Sequence, residues 1–238
     1  MPPLARQDVR NLVRKLGAHA RPAQQQQALA MIARLSVCGE DLNSLVAIAA
    51  AGAISPLVQL LGPGSAGVQQ DTAAALNNLA QNADNQGKIA AASGIPPLVQ
   101  LLSHDSQADV QANAAGALMN LARNADNVVA LAAAGAIPPL VQLLGSGSSA
   151  EVQQNAAGAL VKLAGLAANQ ITIAAAGAIP PLVQLLGPVF TARMRQYAAN
   201  ALMRLALNAD NQVTIADVIY MHTSTGAGHY MIYTGHYR

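Results

Sequence analysis

Apolar residues recur along this chain at the spacing of a helix, and short polar clusters interrupt the recurrence at regular intervals. Val152, Ala156, Leu160 and Leu163 stand four, four and three positions apart, which places their side chains on one helical face. Clusters of Gly, Ser and Pro separate such segments, and these residues end helices and form turns. No strand pattern accompanies them, so the sequence predicts an all-α protein.

The helical pattern repeats with a period of about 42 residues. The second leucine of an Ala-Leu-x-x-Leu-Ala segment returns at Leu79, Leu121, Leu163 and Leu205, and Leu35 precedes this series by 44 residues. A glycine marker lies at Gly52, Gly94, Gly135 and Gly177. Periods of 40 to 47 residues without strands are typical of an α-solenoid, in which each unit buries its apolar face only against its neighbours.

Each complete unit is predicted to contain three helices. In the third unit we expect a first helix over 128–134, capped from 125–127 and ended by Gly135, because glycine tolerates the left-handed backbone that follows many helices. A second helix over 137–144 carries its prolines in the opening turn, where they cost no helical hydrogen bond. The longest helix is predicted over 151–166. An incomplete first unit spans 8–50.

Composition narrows the functions that such a solenoid could have. The chain of 238 residues has a formal net charge of only +2, so we expect neither a nucleic-acid surface nor an anionic-membrane surface. Its longest apolar run, 128–141, is interrupted by glycine and proline and is too short to span a membrane. The single cysteine, Cys38, cannot form an internal disulfide. This favours an intracellular setting, the cytoplasm first and the nucleus as the alternative.

No pattern in the chain indicates catalysis or metal binding. The five histidines are scattered, and none is paired at metal-ligand spacing with a carboxylate nearby. Gly145-Ser146-Gly147 is read as the turn between two repeat helices, and Gly226-Ala227-Gly228 lacks the third glycine of a nucleotide loop. We therefore expect a non-enzymatic protein without catalytic residues, metal or cofactor.

The repeat is abandoned after Ala216. Residues 217–238 replace the next glycine and proline phrase with a stretch rich in Gly, His and Tyr. One interpretation is that residues 217–238 form a capping or partner-binding tail particular to this protein. The other is that the repeat array was truncated or its reading frame altered, which leaves non-native sequence. In the second case the last apolar flank lacks a neighbour, and we expect that end to fray, to self-associate or to be covered by the tail.

Two phrases connect the repeats to a known family. Gly-Ala-Ile-Pro-Pro-Leu-Val at 135–141 and Ala-Ala-Gly-Ala-Leu-Met-Asn-Leu-Ala at 114–122 resemble armadillo repeats, in the style of plant and algal members, over about residues 8–216. The resemblance implies an armadillo domain over 1–216, folded as a right-handed superhelix of about five repeats. It also implies a concave groove, lined by the third helices, that binds an extended segment of another protein. Because some relatives are ubiquitin ligases, the alternative is the substrate-recognition component of a ligase assembly.

The same resemblance indicates where a partner would bind. In peptide-binding members a tryptophan and, four residues later, an asparagine face the groove, and none of the five tryptophan positions here carries a ring. Three positions per third helix, at i, i+3 and i+7, share one face. The predicted partner-binding residues are Arg34, Asp71, Asn78, Asn113, Gly116, Asn120, Asn155, Gly158, Lys162, Tyr197, Asn200 and Arg204.

Two chemical features of these predicted partner-binding residues, which form a row along the third helices, suggest the ligand. Asn113 and Asn120 flank Gly116, so amides that donate and accept hydrogen bonds would stand beside a bare backbone that a peptide could approach closely. Arg34, Lys162 and Arg204 would favour acidic side chains on the partner.

Overall fold

The computed structural model describes residues 6–17, 20–37, 42–62, 65–103 and 105–224. In these ranges the chain forms fifteen α-helices and no strand. The helices are α1 (Arg6–Arg14), α2 (Pro22–Val37), α3 (Leu42–Ala50), α4 (Ile54–Leu60), α5 (Ala66–Leu79), α6 (Ala83–Ala91), α7 (Ile95–Gln100), α8 (Ala108–Leu121), α9 (Ala125–Ala133), α10 (Ile137–Gln142), α11 (Ala150–Leu163), α12 (Ala167–Ala175), α13 (Ile179–Gln184), α14 (Ala192–Leu205) and α15 (Ala209–Ser224).

The helices stack as successive triplets. The long third helices form one continuous row, in which α2 packs against α5, α5 against α8, α8 against α11 and α11 against α14. In α5, α8, α11 and α14 the recurring leucines are fully buried in the shared core; they are Leu79, Leu121, Leu163 and Leu205. The predicted all-α solenoid of about five repeats is confirmed. The incomplete first unit consists of α1 and α2, because α3 opens the next triplet rather than closing the first.

The helix ends of the third unit differ from the prediction by up to three residues. Helix α9 begins at Ala125 because the side chain of Asn124 caps it, accepting a hydrogen bond from the backbone N–H of Asp126. Helix α10 ends at Gln142, and Leu143 and Leu144 form the following turn. Helix α11 ends at Leu163 because Leu166 has an extended backbone (φ −97°, ψ 131°) at the start of α12.

The residue that reverses the chain after each first helix has a left-handed backbone. This residue is Gly52 (φ 85°), Gly135 (φ 74°) and Gly177 (φ 83°) in three units, but in the unit formed by α6, α7 and α8 it is Ser93 (φ 61°). Gly94, which the sequence period aligned with the other glycines, has an ordinary φ of −74°. The true register therefore places a serine where left-handed geometry favours glycine.

Buried amide side chains tie neighbouring units together. Asn127 Nδ2 donates to the backbone oxygen of Leu121 at 3.1 Å and to that of Gln86, in the previous unit, at 3.3 Å. Asn211 makes the equivalent pair of bonds to Leu205 and Gln170. Each side chain thus hydrogen-bonds both the end of the preceding third helix and the first helix of the previous unit. Sequence reasoning missed them, although their 42-residue recurrence was visible.

The last helix continues past the point where the repeat pattern ends. Helix α15 has 16 residues and reaches Ser224, whereas α12 has nine. Ile219 stands where Gly177 reverses the chain, and His222 stands where Pro180 opens α13. Without a chain-reversing glycine or a proline, the helix is free to extend. Residues 217–224 of the predicted tail are therefore helical, and 225–238 lie outside the described residues.

No helix within the described ranges is long and apolar enough to cross a membrane.

Candidate functional site

The predicted site residues lie along the row of third helices, but they differ widely in exposure. Arg34 and Lys162 are exposed. The half-buried members are Asp71, Asn113, Tyr197, Asn200 and Arg204, and the buried members are Asn78, Asn120, Asn155, Gly116 and Gly158. The row is therefore part interface and part accessible surface.

The three buried asparagines use their N–H groups to join adjacent third helices. Asn120 Nδ2 donates to the backbone oxygen of Asn77 at 3.2 Å and to its Oδ1 at 3.0 Å. Asn78 donates to Ala33 O at 3.4 Å, and Asn155 donates to Ala112 O at 3.0 Å. These donors bond the preceding helix, so the idea that each amide offers both donor and acceptor to a ligand needs correction.

The oxygens of two of these amides face a different environment. None of the described residues donates a hydrogen bond to Oδ1 of Asn120 or Asn155. Within the described part of the chain, no fully buried side-chain oxygen or nitrogen lacks a partner. The two oxygens are therefore reached by solvent. Because each Nδ2 is held by the neighbouring helix, each Oδ1 is also fixed in orientation.

The gap predicted above Gly116 is filled. A Cβ at this position would stand 2.8 Å from Asn77 Nδ2 and 2.9 Å from Asn77 Oδ1. A ligand backbone cannot approach Gly116 as the sequence suggested, because the Asn77 side chain from the preceding helix already covers it. Gly158 is covered in the same way by Met119. Both glycines serve the contact between repeats.

Tyr197 and Arg193 lie together at the carboxyl-terminal end of the row. The Tyr197 ring lies over Gly158, with Cε2 3.4 Å from the point where a Cβ would stand. The Arg193 guanidinium carbon is 5.8 Å from the ring centroid, and Arg193 Nε donates to Tyr197 Oη at 3.4 Å. Sequence reasoning missed Arg193 and Met119, since neither occupies one of the three expected positions per helix.

Charge is distributed unevenly along the third helices. Arg34, Lys162 and Arg204 lie in the last turns of α2, α11 and α14, where cations interact favourably with the helix dipole. Arg204 Nη1 is 3.2 Å from the point where a Cβ of Gly165 would stand, so this side chain lies along the end of α11. The one acidic member of the row is Asp71, and its burial raises the pKa of that carboxyl.

The described residues contain no group of three His, Cys, Asp or Glu side chains that could hold a metal ion. Cys38 lies outside them.

The geometry defines a helical solenoid with a polar, partly cationic row along its third helices. A family model for the armadillo/beta-catenin-like repeat matches residues 45–81, 82–123 and 124–165, about half of the chain. The protein therefore belongs to the armadillo repeat family, and the resemblance seen in the sequence is confirmed.

Solved structures of designed proteins share the fold over nearly the whole chain. One engineered protein is 32% identical to this chain, with a TM-score of 0.79. The match covers 93% of this chain and 91% of the engineered protein. A computationally designed armadillo repeat protein for modular peptide recognition is 28% identical, with a TM-score of 0.81 and 93% coverage of both chains. A designed armadillo repeat protein in complex with the peptide (KR)4 is 26% identical, with a TM-score of 0.78 and coverage of 95% and 94%. Among curated proteins, none matches this chain.

Proposed function

We propose that this protein is a non-enzymatic scaffold that binds an extended segment of a partner protein along the concave row of third helices. The observation that carries the proposal is the pair of fixed, solvent-reached oxygens on Asn120 and Asn155. An extended peptide presents backbone N–H groups that require acceptors, and acceptors that are already fixed lower the ordering cost of binding them. Designed armadillo proteins described as recognising peptides provide the supporting analogy.

The charge of the row favours an acidic partner segment. Lys162 and Arg34 are exposed, and Arg204 is half-buried. Asp71 opposes the three cations in one unit only. A designed relative holds a basic peptide, (KR)4, whereas the three cations of this chain lead us to propose that it selects the opposite charge. Salt should weaken such binding, because exposed charges are screened.

Selection from a displayed library of short random peptides tests the proposal. Peptides that bind should photo-cross-link to the third helices. Lys162→Ala should weaken acidic sequences about threefold, consistent with roughly 0.2–1 kcal/mol for an exposed ion pair. Gln142→Ala is the control, because Gln142 is exposed on the second helix α10. Cross-links confined to α10, or equal losses in the two variants, would contradict a third-helix site.

The alternative is that the same groove recognises substrates within a ubiquitin-ligase assembly. Affinity capture from cell extract separates the two functions. Consistent absence of ubiquitin-conjugating enzymes, with other partners retained, would count against the ligase assembly. Both functions fit the intracellular setting that a single cysteine favours.

Self-association through the carboxyl-terminal end is a second proposed interaction. Ala157 and Val161 are buried on α11, against which α14 packs, and Val161 is 7% exposed. Ala199 and Met203 are their counterparts on α14, and Met203 is 62% exposed. The interface that joins successive third helices therefore continues onto an open face, which a second copy of the chain could cover.

Sedimentation equilibrium tests self-association. Met203→Glu should shift the protein toward monomer, whereas Val129→Glu, at a site 61% exposed on α9, should not. A monomeric wild-type protein at high concentration would refute the contact.

A further inference from the structure

We propose that Met119, Gly158 and Tyr197 form an apolar anchor site in the groove, and that Lys162 and Arg204 make it select an apolar side chain flanked by acidic residues. The inference rests on the proposed peptide-binding function and specifies the segment that the groove would recognise.

The anchor site exists because residue 158 has no side chain. A Cβ there would contact Met119 Sδ and stand 3.2 Å from Met119 Cγ and 3.4 Å from Tyr197 Cε2. Side chains from α8 and α14 thus converge over the middle of α11. Both are half-buried, so a face of each remains accessible. A thioether beside an aromatic ring is a favourable surface for an apolar side chain.

The same positions one repeat earlier are polar. There Asn77 covers Gly116, and Asn155, the counterpart of Tyr197, donates to Ala112 O. Tyr197 is also the only aromatic residue in the sequence of the five third helices. The groove therefore changes from amide-lined to apolar within one repeat, which gives a bound segment a unique register along the solenoid.

Two cations lie on one side of this anchor site, and a third, Arg193, lies over the Tyr197 ring toward the amino-terminal end of α14. Lys162 is exposed one turn beyond Gly158 on α11, and Arg204 lies beside Gly165 at the end of the same helix. Glu151, which is exposed two turns before Gly158, lies toward the other side. Alternate side chains of an extended peptide face the same way, so acidic residues at alternate positions from the anchor can reach the cations while the apolar residue contacts Tyr197.

Sequences recovered by the displayed library provide the first test. The anchor site predicts an apolar or aromatic residue with Asp or Glu two or four positions away. Groove-bound sequences without this spacing would overturn the anchor site and leave the proposed function standing. Recovery of no groove-bound sequence would overturn the proposed function itself.

Variants provide the second test, using the best recovered peptide and isothermal titration. Tyr197→Ala should weaken binding about tenfold, whereas Tyr197→Phe should retain it, because the ring forms the contact. Lys162→Glu should weaken binding several-fold, while Lys88→Glu, the same charge change on an exposed side chain of the first helix α6, should not. Unchanged helicity by circular dichroism establishes that each variant is folded. Equal affinity of wild type and Tyr197→Ala, or equal loss with Lys88→Glu, would refute the anchor site.

Discussion

One substitution, glycine to alanine, should have opposite effects at two exposed positions of this protein. Gly87 lies inside α6 (Ala83–Ala91), and Gly135 reverses the chain after α9 with φ 74°. A Cβ added at either position would meet nothing within 4 Å. Steric contact is therefore the same in both cases, and only the backbone conformation differs.

The expected magnitudes follow from that conformation. Within a helix, alanine is more favourable than glycine by about 1 kcal/mol, so Gly87→Ala should stabilise the fold by about that amount. At Gly135 the left-handed backbone costs an L-residue about 1–2 kcal/mol. The smaller conformational entropy of an unfolded chain with alanine returns about 0.4–1 kcal/mol. Gly135→Ala should therefore destabilise by about 0.5–1 kcal/mol.

Urea denaturation followed by circular dichroism measures both variants against the wild type. Their transition midpoints should move in opposite directions, and their melting temperatures should differ by roughly 3–8 °C for a chain of this size. Ser93→Gly extends the comparison, because Ser93 already has φ 61° and its replacement should stabilise. A destabilising Gly87→Ala, or a Gly135→Ala that stabilises to the same extent, would refute the argument from backbone conformation.

Three further predictions concern buried amides, packing and charge. Asn127→Ala should lower the free energy of unfolding in urea by about 2 kcal/mol, because it removes two buried hydrogen bonds to the previous unit. Asn113→Ala, which loses a bond only within its own helix, should cost roughly 0.5 kcal/mol or less, and equal losses would contradict the bonding between repeats. The clash with Asn77 should cost Gly116→Ala about 1–3 kcal/mol, while the helical preference for alanine returns about 1 kcal/mol, so the net loss should be about 0–2 kcal/mol. The added Asn77→Ala should recover part of the cost of the clash in a double-mutant cycle, and simple additivity would rule out the clash. Burial raises the pKa of Asp71, so the folded state favours its protonated form, and the wild type loses stability as pH rises through that folded-state pKa. Asp71→Asn should therefore raise the unfolding midpoint at about pH 7 and lose this advantage near pH 3, and an advantage that is the same at both pH values would refute the assignment.

The repeat architecture could be predicted from the sequence because it depends on composition and period. Leucines spaced 42 residues apart and glycines between helices impose a stack of helical triplets whatever the surface residues are. Two errors arose where a single residue differs from the residues at the equivalent positions of the other repeats. Ser93 concealed the true left-handed position, and Leu166 replaced the asparagine that caps α6 and α9, so the cap signal was absent at α12.

The candidate site was less predictable because a sequence does not show which group an amide side chain hydrogen-bonds. Asn120 has the position and chemistry expected of a ligand-binding side chain, yet its N–H groups bond the preceding helix. Helical spacing places Asn120 on one face of α8, but its distance to Asn77 depends on how closely α5 and α8 approach each other. That approach is set by Gly116, which lies on the same face one turn earlier.

The structural role of Gly116 and Gly158 therefore depends on the side chains that cover them. Asn77 fills the space at Gly116, and the larger Met119 fills the space at Gly158, so each pair keeps adjacent third helices close enough to pack. Close approach brings Asn120 within reach of a backbone oxygen and leaves its own Oδ1 at the surface. At Gly158 the same approach brings Tyr197 over the helix. Packing between repeats and the chemistry of the groove thus have one cause, and substitutions at these glycines should change both stability and recognition.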